Sequence, residues 1–295
     1  MKKNSSSFVR ESGMYIGPSP QLCMREFIIT KSFSSNLKAF ASKASLDMFK
    51  HFKGLSPQQQ NFFRAKELQN QSKGLPLLVL KRVHELGLGD TKYMKIYKCL
   101  PSPESRDRLY DKVDNSIFTV VYKRTFPSYI RFSLKFDNST EIIMILHSRF
   151  PIADIAVGDK RYRFVRDRSY FMSTGYFMSD LYLLPPDKVS LTDDLTSDKK
   201  VNKRNKLLGN LIKNVLAPVS FKSTTEFTSQ FECGKFVNDH LPRFGNDHKN
   251  SSFSVLSTDC DFDSNNAVRF EDIVLICACM ILTNHDIDER RRRHQ

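Results

Sequence analysis

Hydrophobic and polar residues alternate along the middle of the chain. In residues 129–136 (YIRFSLKF), nearly every second position is hydrophobic, and the positions between them carry mostly polar or charged side chains. A period of two is typical of a strand with one buried face and one solvated face. Residues 137–140 (DNST) favour a turn, and residues 141–147 are again rich in Ile, Met and Leu. Together these segments predict a β-hairpin.

The same pattern predicts further strands on both sides of this hairpin. They cover residues 94–99, 117–124, 152–157, 161–165, 176–184, 218–227 and 251–256, with a turn at Gly158-Asp159. Many short strands separated by polar turns are typical of an antiparallel β architecture.

One segment, residues 273–282 (IVLICACMIL), is hydrophobic on every side. As a helix it is roughly 15 Å long, half of a bilayer core of about 30 Å, so it cannot span a membrane. Glu271 and Asp272 before it and four arginines at 290–293 after it suit the helix dipole. A buried strand is the alternative, because Ile and Val favour strands.

A helix that is hydrophobic all round has to be enclosed by protein. A sheet closed into a barrel covers every face of such a helix and leaves no exposed sheet edge. We therefore expect a mainly β fold, namely a closed antiparallel β-barrel that encloses a C-terminal hydrophobic helix. A basic N-terminal region with one or two helices precedes it.

Residues 37–53 have the pattern of a basic amphipathic helix. Its lysines Lys43, Lys50 and Lys53 lie opposite a hydrophobic face. Such a helix either lies in an anionic membrane interface or docks on the barrel or on a partner. Residues 56–72 predict a second, more polar helix that opens with a capping box.

The charge is concentrated at the N-terminal end of the chain. The 295 residues carry 46 Lys and Arg against 32 Asp and Glu, a net charge of +14. Residues 1–100 hold 17 of these cations but only 6 of the carboxylates. We expect a basic, partly disordered region over 1–90 and a barrel domain over 91–295, with the central helix at about 270–290. A basic stretch suggests an anionic partner.

A polar insertion is predicted at about residues 187–214, and it contains the basic run 199–206 (KKVNKRNK). The run is either a solvated loop or a nuclear-localisation or nucleic-acid patch. No aromatic residues stand beside it to stack on bases, so nucleic acid is the weaker interpretation.

The sequence shows no catalytic motif. Its six cysteines are scattered without a CxxC pair, which favours a reducing compartment, cytoplasmic or nuclear. Cys233, His240, His248 and Cys260 lack the spacing of a familiar zinc module. No secretory signal or transmembrane segment is visible. We expect no enzyme activity, no cofactor and no metal.

Several segments carry a family resemblance. They are residues 109–111 (LYD), 117–124 (IFTVVYKR), 158–164 (GDKRYRF), 175–177 (GYF), 180–185 (DLYLLP) and the hydrophobic helix with its Arg-rich end. In these segments the chain resembles the tubby C-terminal-like superfamily, which includes LURP-one-related proteins and phospholipid scramblases, and a fungal branch in particular. The resemblance covers roughly residues 92–295. It implies a barrel of about twelve strands and binding of phosphoinositide headgroups through surface Lys and Arg.

Candidate ligands of such a headgroup are the cations of two predicted hairpins. They are Arg131, Lys135, Lys160, Arg161, Arg163, Arg166 and Arg168. If they adjoin, they would hold a multiply charged phosphate by charge-assisted hydrogen bonds. The alternative is a solvated exterior, with the cations paired to Asp154, Asp159 and Asp167.

We therefore expect a non-enzymatic protein that binds anionic phospholipid peripherally. A protein-interaction scaffold that uses the N-terminal region is the second hypothesis, and nucleic-acid binding is the third.

Overall fold

The computed structural model describes residues 23–31, 36–83, 89–99, 109, 115–127, 129–148, 150–167, 176–193, 231–239, 250–257 and 268–293. The strands are Cys23–Lys31 (β1), Leu37–Phe40 (β2), Leu78–Arg82 (β3), Thr91–Cys99 (β4), Asn115–Thr125 (β5), Tyr129–Phe136 (β6), Glu141–His147 (β7), Ile152–Val157 (β8), Lys160–Arg166 (β9), Tyr176–Leu183 (β10), Glu232–Asp239 (β11) and Ser251–Ser257 (β12). The helices are Lys43–Phe52 (α1), Phe62–Asn70 (α2) and Phe270–Arg293 (α3).

The twelve strands form one closed antiparallel barrel. Each strand pairs with the next in chain order, and β1 closes the ring against β12. In that closing pair Phe27 lies opposite Phe253, and their rings stack with centroids 6.2 Å apart. The prediction of a closed barrel is confirmed.

Helix α3 fills the barrel. Its residues from Val274 to Ile281 are at most 1% exposed and belong to the same hydrophobic core as the inward side chains of the strands. The alternative of a buried strand is therefore wrong. A helix without a polar face is stable here because the surrounding strands cover all of its sides.

The predicted and observed strands agree best in the middle of the chain. β6, β7 and β8 have the predicted bounds, and β4, β5, β9, β10 and β12 differ by three residues or fewer at either end. Strands β1, β2, β3 and β11 were not predicted. The predicted strand at 218–227 lies outside the described residues.

The N-terminal region is part of the barrel. Strands β1, β2 and β3 complete the ring between β12 and β4, so the boundary predicted at residue 90 is wrong. Leu37–Phe40 form β2 rather than the first turn of a helix, because these residues pair with β1 and β3. Helix α1 begins later, after the cap Ser42, whose side chain accepts from the Ser45 backbone N–H at 3.1 Å.

Helix α1 docks on the outside of the barrel. Leu46 and Phe49 pack against Ile28 and Phe40. The hydrophobic face that would enter a membrane is thus covered by β1 and β2. Its lysines Lys43, Lys50 and Lys53 are exposed, as predicted. Helix α2 begins at Phe62, although the Ser56 N–H does donate to the Gln59 side chain at 2.9 Å.

Candidate functional site

The predicted cationic patch is divided by the alternation of β9. Tyr162 and Phe164 belong to the core, so Lys160 and Arg166, at the same parity, lie on the inner side of β9 at its two ends, where both are partly exposed. Arg161 and Arg163 face outwards. The prediction of a single surface formed by these four residues is therefore wrong. Arg168 lies outside the described residues.

The two outward arginines are bound to carboxylates. Arg163 donates to both oxygens of Asp154, at 2.8 and 2.7 Å, and this pair is buried. Burial by itself lowers the pKa of the Arg163 guanidinium, but the hydrogen bonds and charge of Asp154 outweigh burial and leave the pKa raised. Arg161 pairs with Asp193 at 3.1 Å and donates to the Pro185 carbonyl at 3.0 Å. Both arginines are thus bound to acceptors within the barrel wall.

The two inward cations tie α3 to β9 at both ends. Lys160 Nζ lies 3.0 Å from Glu271, which also accepts from the Tyr162 hydroxyl. Arg166 Nη2 lies 2.8 Å from Asp286. From residue 271 to residue 286 the helix rises about 22 Å, and from residue 160 to residue 166 the strand rises about 20 Å. The two elements therefore match in length, and these cations anchor the helix.

Arg131 and Lys135 are different because they face outwards into one open cleft. The cleft has a volume of about 510 Å³ and lies across β5, β6 and β7. Its polar lining consists of Asp90, Tyr122, Arg131, Ser133, Lys135 and Glu141.

The cleft carries both cations and carboxylates. Arg131 Nη2 lies 3.1 Å from Asp90 at one end. At the other end Lys135 Nζ lies 5.1 Å from the centre of the Tyr122 ring, and Lys135 is opposite Glu141 in register. Guanidinium and ammonium groups bind phosphate oxygens, and carboxylates accept from hydroxyl groups. The cleft is thus suited to a phosphorylated polyol.

A second group of charges lies at the end of the barrel where α3 finishes. We call it the C-terminal mouth and define it by Lys31, Arg82, Asp286, Asp288 and Arg290. The Asp288 carboxylate pairs with Arg82 at 3.0 Å. The sequence gives little sign of this group, because Lys31 and Arg82 are far along the chain from the arginines at 290–293.

Two buried rings complete the inner side of the C-terminal mouth. The Tyr93 hydroxyl donates to Asp288 at 2.7 Å, and burial together with this carboxylate raises the pKa of Tyr93. His285 packs edge-on against Phe132. Burial and then the charge of Lys123 lower the pKa of His285 to about 4.

The cysteines of the core are not poised for chemistry. Burial raises the pKa of Cys233 to about 12 and raises that of Cys277 as well. Cys233 lies on β11 and its thiol donates to the Leu181 carbonyl at 3.5 Å. Within the described part of the chain no three His, Cys, Asp or Glu side chains are grouped as metal ligands. His240, His248 and Cys260 fall outside it.

Among the described helices, none is long and hydrophobic enough to cross a membrane.

These features define a class of protein, a closed twelve-stranded antiparallel barrel with a helix through its centre and a charged cleft on its outer wall. The DIA1 family model matches residues 23–293, from β1 to the last residue of α3, and the chain belongs to the DIA1 family. No curated protein and no solved structure matches the chain.

Proposed function

We propose that this protein is a non-enzymatic, tubby-like barrel that binds the headgroup of an anionic phospholipid, a phosphoinositide, in the outer-wall cleft. It associates peripherally with the cytoplasmic face of a membrane. The observation that carries the proposal is the placement of Arg131 and Lys135 in one open cleft, where Arg131 also pairs with Asp90.

The mixed charge of the cleft supports a phosphorylated polyol over a simple anion. Arg131 and Lys135 provide the donors for phosphate, and each of these charge-assisted hydrogen bonds stabilises a complex by about 1.5–3 kcal/mol. Asp90 and Glu141 would repel a bare polyanion but accept hydrogen bonds from ring hydroxyls. An inositol headgroup offers both phosphates and hydroxyls.

The exposed lysines of α1 support a membrane-facing role through charge alone. Lys43, Lys50 and Lys53 are solvated, and cations near an anionic bilayer each contribute about 1 kcal/mol of attraction. The hydrophobic face of α1 is buried on the barrel, so insertion of this helix plays no part in the proposal.

Liposome flotation of the full chain tests the proposal. The vesicles are phosphatidylcholine with and without phosphatidylinositol bisphosphate. We expect binding only to the second kind, and Lys135→Glu should weaken that binding about tenfold or more, the effect of one charge-assisted hydrogen bond.

The matched control is Lys188→Glu, which changes the same charge at an exposed site outside the cleft. It should bind like the wild type. Equal loss in both variants, or no preference between the two kinds of vesicle, would contradict the proposal.

A protein-interaction scaffold is the second candidate, and one observation favours it. Phe63 on α2 is 72% exposed, and a large exposed aromatic side chain is typical of an anchor at an interface. Phe63→Ser should abolish capture of a protein partner and leave liposome binding unchanged. The basic run at 199–206, the basis for nucleic-acid binding, lies outside the described residues.

A further inference from the structure

At the C-terminal mouth Asp288 pairs with Arg82, and Asp286 is shared between Arg166 and Arg290. Lys31 is the last residue of β1 and Arg82 the last residue of β3. Arg290 lies in the last turns of α3, where it meets Asp286. The neighbouring Arg291 is exposed on the same helix.

The Arg82 side chain is buried, and only one of its three nitrogen atoms contacts an acceptor among the described residues. Its side chain is 9% exposed, and Nη1 lies 3.0 Å from Asp288. Nε and Nη2 are buried and donate to no acceptor among the described residues. A buried donor without an acceptor costs about 1–3 kcal/mol, so an acceptor at this position stabilises the protein.

Arg290 offers one more donor beside it. Its Nη2 forms an ion pair with Asp286 Oδ2 at 2.8 Å, and its Nε donates to the Asp286 backbone carbonyl at 3.4 Å. The other oxygen of Asp286 accepts from Arg166 at 2.8 Å. Asp286 is therefore shared by two guanidinium groups, and its single charge cannot neutralise both.

The electrostatics show that these cations are close enough to repel one another. Partial burial lowers the pKa of Lys31, and the charges of Arg291, Arg290 and Arg82 lower it further. Burial also lowers the pKa of Arg82, against the opposing charge of Asp288. An anion among the four cations would remove this repulsion.

We propose that the C-terminal mouth binds a phosphate-bearing anion, with Arg82 and Arg290 donating hydrogen bonds and Lys31 and Arg291 adding charge. A phosphate has three oxygens that accept from several directions at once, which suits donors arriving from a strand and from a helix. A carboxylate has only two such oxygens. The phosphate belongs either to a soluble phosphate compound or to a lipid headgroup.

This site differs from the outer-wall cleft. Arg82 pairs with Asp288 of α3 and Arg290 lies on α3 itself, whereas Arg131 and Lys135 face outwards from β6. Binding at the mouth does not depend on binding in the cleft.

Calorimetric titration of the full chain with sodium pyrophosphate tests the proposal. We expect binding that weakens about tenfold in each of the charge reversals Lys31→Glu and Arg291→Glu. Both side chains are exposed, and unchanged circular dichroism will show that the variants fold. The double variant Lys50→Glu/Lys53→Glu, which reverses two charges on α1, should bind like the wild type.

A second variant examines the donors themselves. Arg82→Lys keeps the charge that faces Asp288 but removes Nε and Nη2, and it should weaken pyrophosphate binding with Lys31 and Arg291 intact. Unchanged affinity in this variant, equal weakening in the α1 control, or no pyrophosphate binding would overturn the proposal.

Competition separates the two sources of phosphate. If soluble inositol trisphosphate displaces pyrophosphate and vesicles with phosphatidylinositol bisphosphate do not, the ligand is a soluble compound. If the vesicles displace it and Arg291→Glu reduces their binding, the ligand is a headgroup. If Lys135→Glu is the only variant that loses vesicle binding, the vesicles bind in the cleft and not at the C-terminal mouth.

Discussion

Arg163 donates to both carboxylate oxygens of Asp154, at 2.8 and 2.7 Å, on the outer face of the barrel. The same carboxylate accepts from the Ser190 hydroxyl at 3.1 Å and from the Leu191 backbone N–H at 2.7 Å. Leu191 in turn packs in a second hydrophobic cluster outside the barrel. One buried carboxylate therefore holds both β9 and the segment at 189–191.

Replacement of this carboxylate should be strongly destabilising. Asp154→Asn leaves the buried Arg163 charge without its partner, and we expect the free energy of unfolding to fall by about 3–5 kcal/mol. Urea denaturation followed by circular dichroism measures this. Asp193→Asn is the control, because its partner Arg161 is partly exposed and such pairs contribute about 0–1 kcal/mol. Equal effects of the two substitutions would show that burial does not determine the strength of these pairs.

Gly234 should not tolerate a side chain. A Cβ at this position would lie 2.4 Å from the Ser254 carbonyl oxygen on β12 and 3.3 Å from the Val255 Cα. Both are backbone atoms, so a strand has to move, and Gly234→Ala should cost about 1–3 kcal/mol of unfolding free energy. In contrast, Gly54→Ala adds a Cβ with nothing within 4 Å and should change stability by less than about 0.5 kcal/mol. Thermal or urea denaturation of both variants compares them directly.

The buried His285 should make stability depend on pH. Burial and Lys123 lower the pKa of His285 from 6.5 to about 4, so between these values the unfolded chain binds a proton that the folded chain excludes. Stability is therefore full above about pH 6.5 and falls as the pH drops towards about 4.

The variant His285→Gln isolates this effect from the titration of carboxylates. We expect the wild type to lose about 2 kcal/mol more than the variant between about pH 7 and about pH 5. Urea midpoints at the two pH values provide the measurement. Parallel losses in wild type and variant would mean that His285 is protonated equally in both states.

Removal of residues 1–90 should prevent folding. The deletion takes away β1, β2 and β3, which leaves β12 and β4 as open edges with unpaired backbone groups. We expect the truncated chain to aggregate or to show no cooperative thermal transition in circular dichroism. A truncated chain with the melting behaviour of the wild type would show that the remaining strands close without this region.

The sequence predicts an element well where the two faces of that element differ. β6 alternates because Arg131, Ser133 and Lys135 face outwards, and its bounds were correct. β1 was missed because Arg25, fully buried at 0% exposure, interrupts the pattern of an inward hydrophobic face. β2 was read as helix because Leu37 and Phe40 are three residues apart, a spacing that also suits a helical face.

The positions of the candidate site residues could also be predicted only in part. Arg131 and Lys135 were placed on one outward face, and the structure confirms this placement. Lys160 and Arg166 were assigned to the surface because charged residues seldom face a hydrophobic core. They face inwards because Glu271 and Asp286 on α3 provide partners there, and a contact between residues more than a hundred positions apart leaves no local pattern.

The pairing of β1 with β12 also governs when the protein can fold during its synthesis. The Cys23 thiol donates to the Ser257 carbonyl across 234 positions of sequence, and α3 follows β12 in the chain. A ribosome therefore has to synthesise all twelve strands and α3 before the ring can close around its helix. Until then the edges of β1 and the growing strand are open to other chains, so newly made protein is expected to depend on chaperones far more than the finished barrel does.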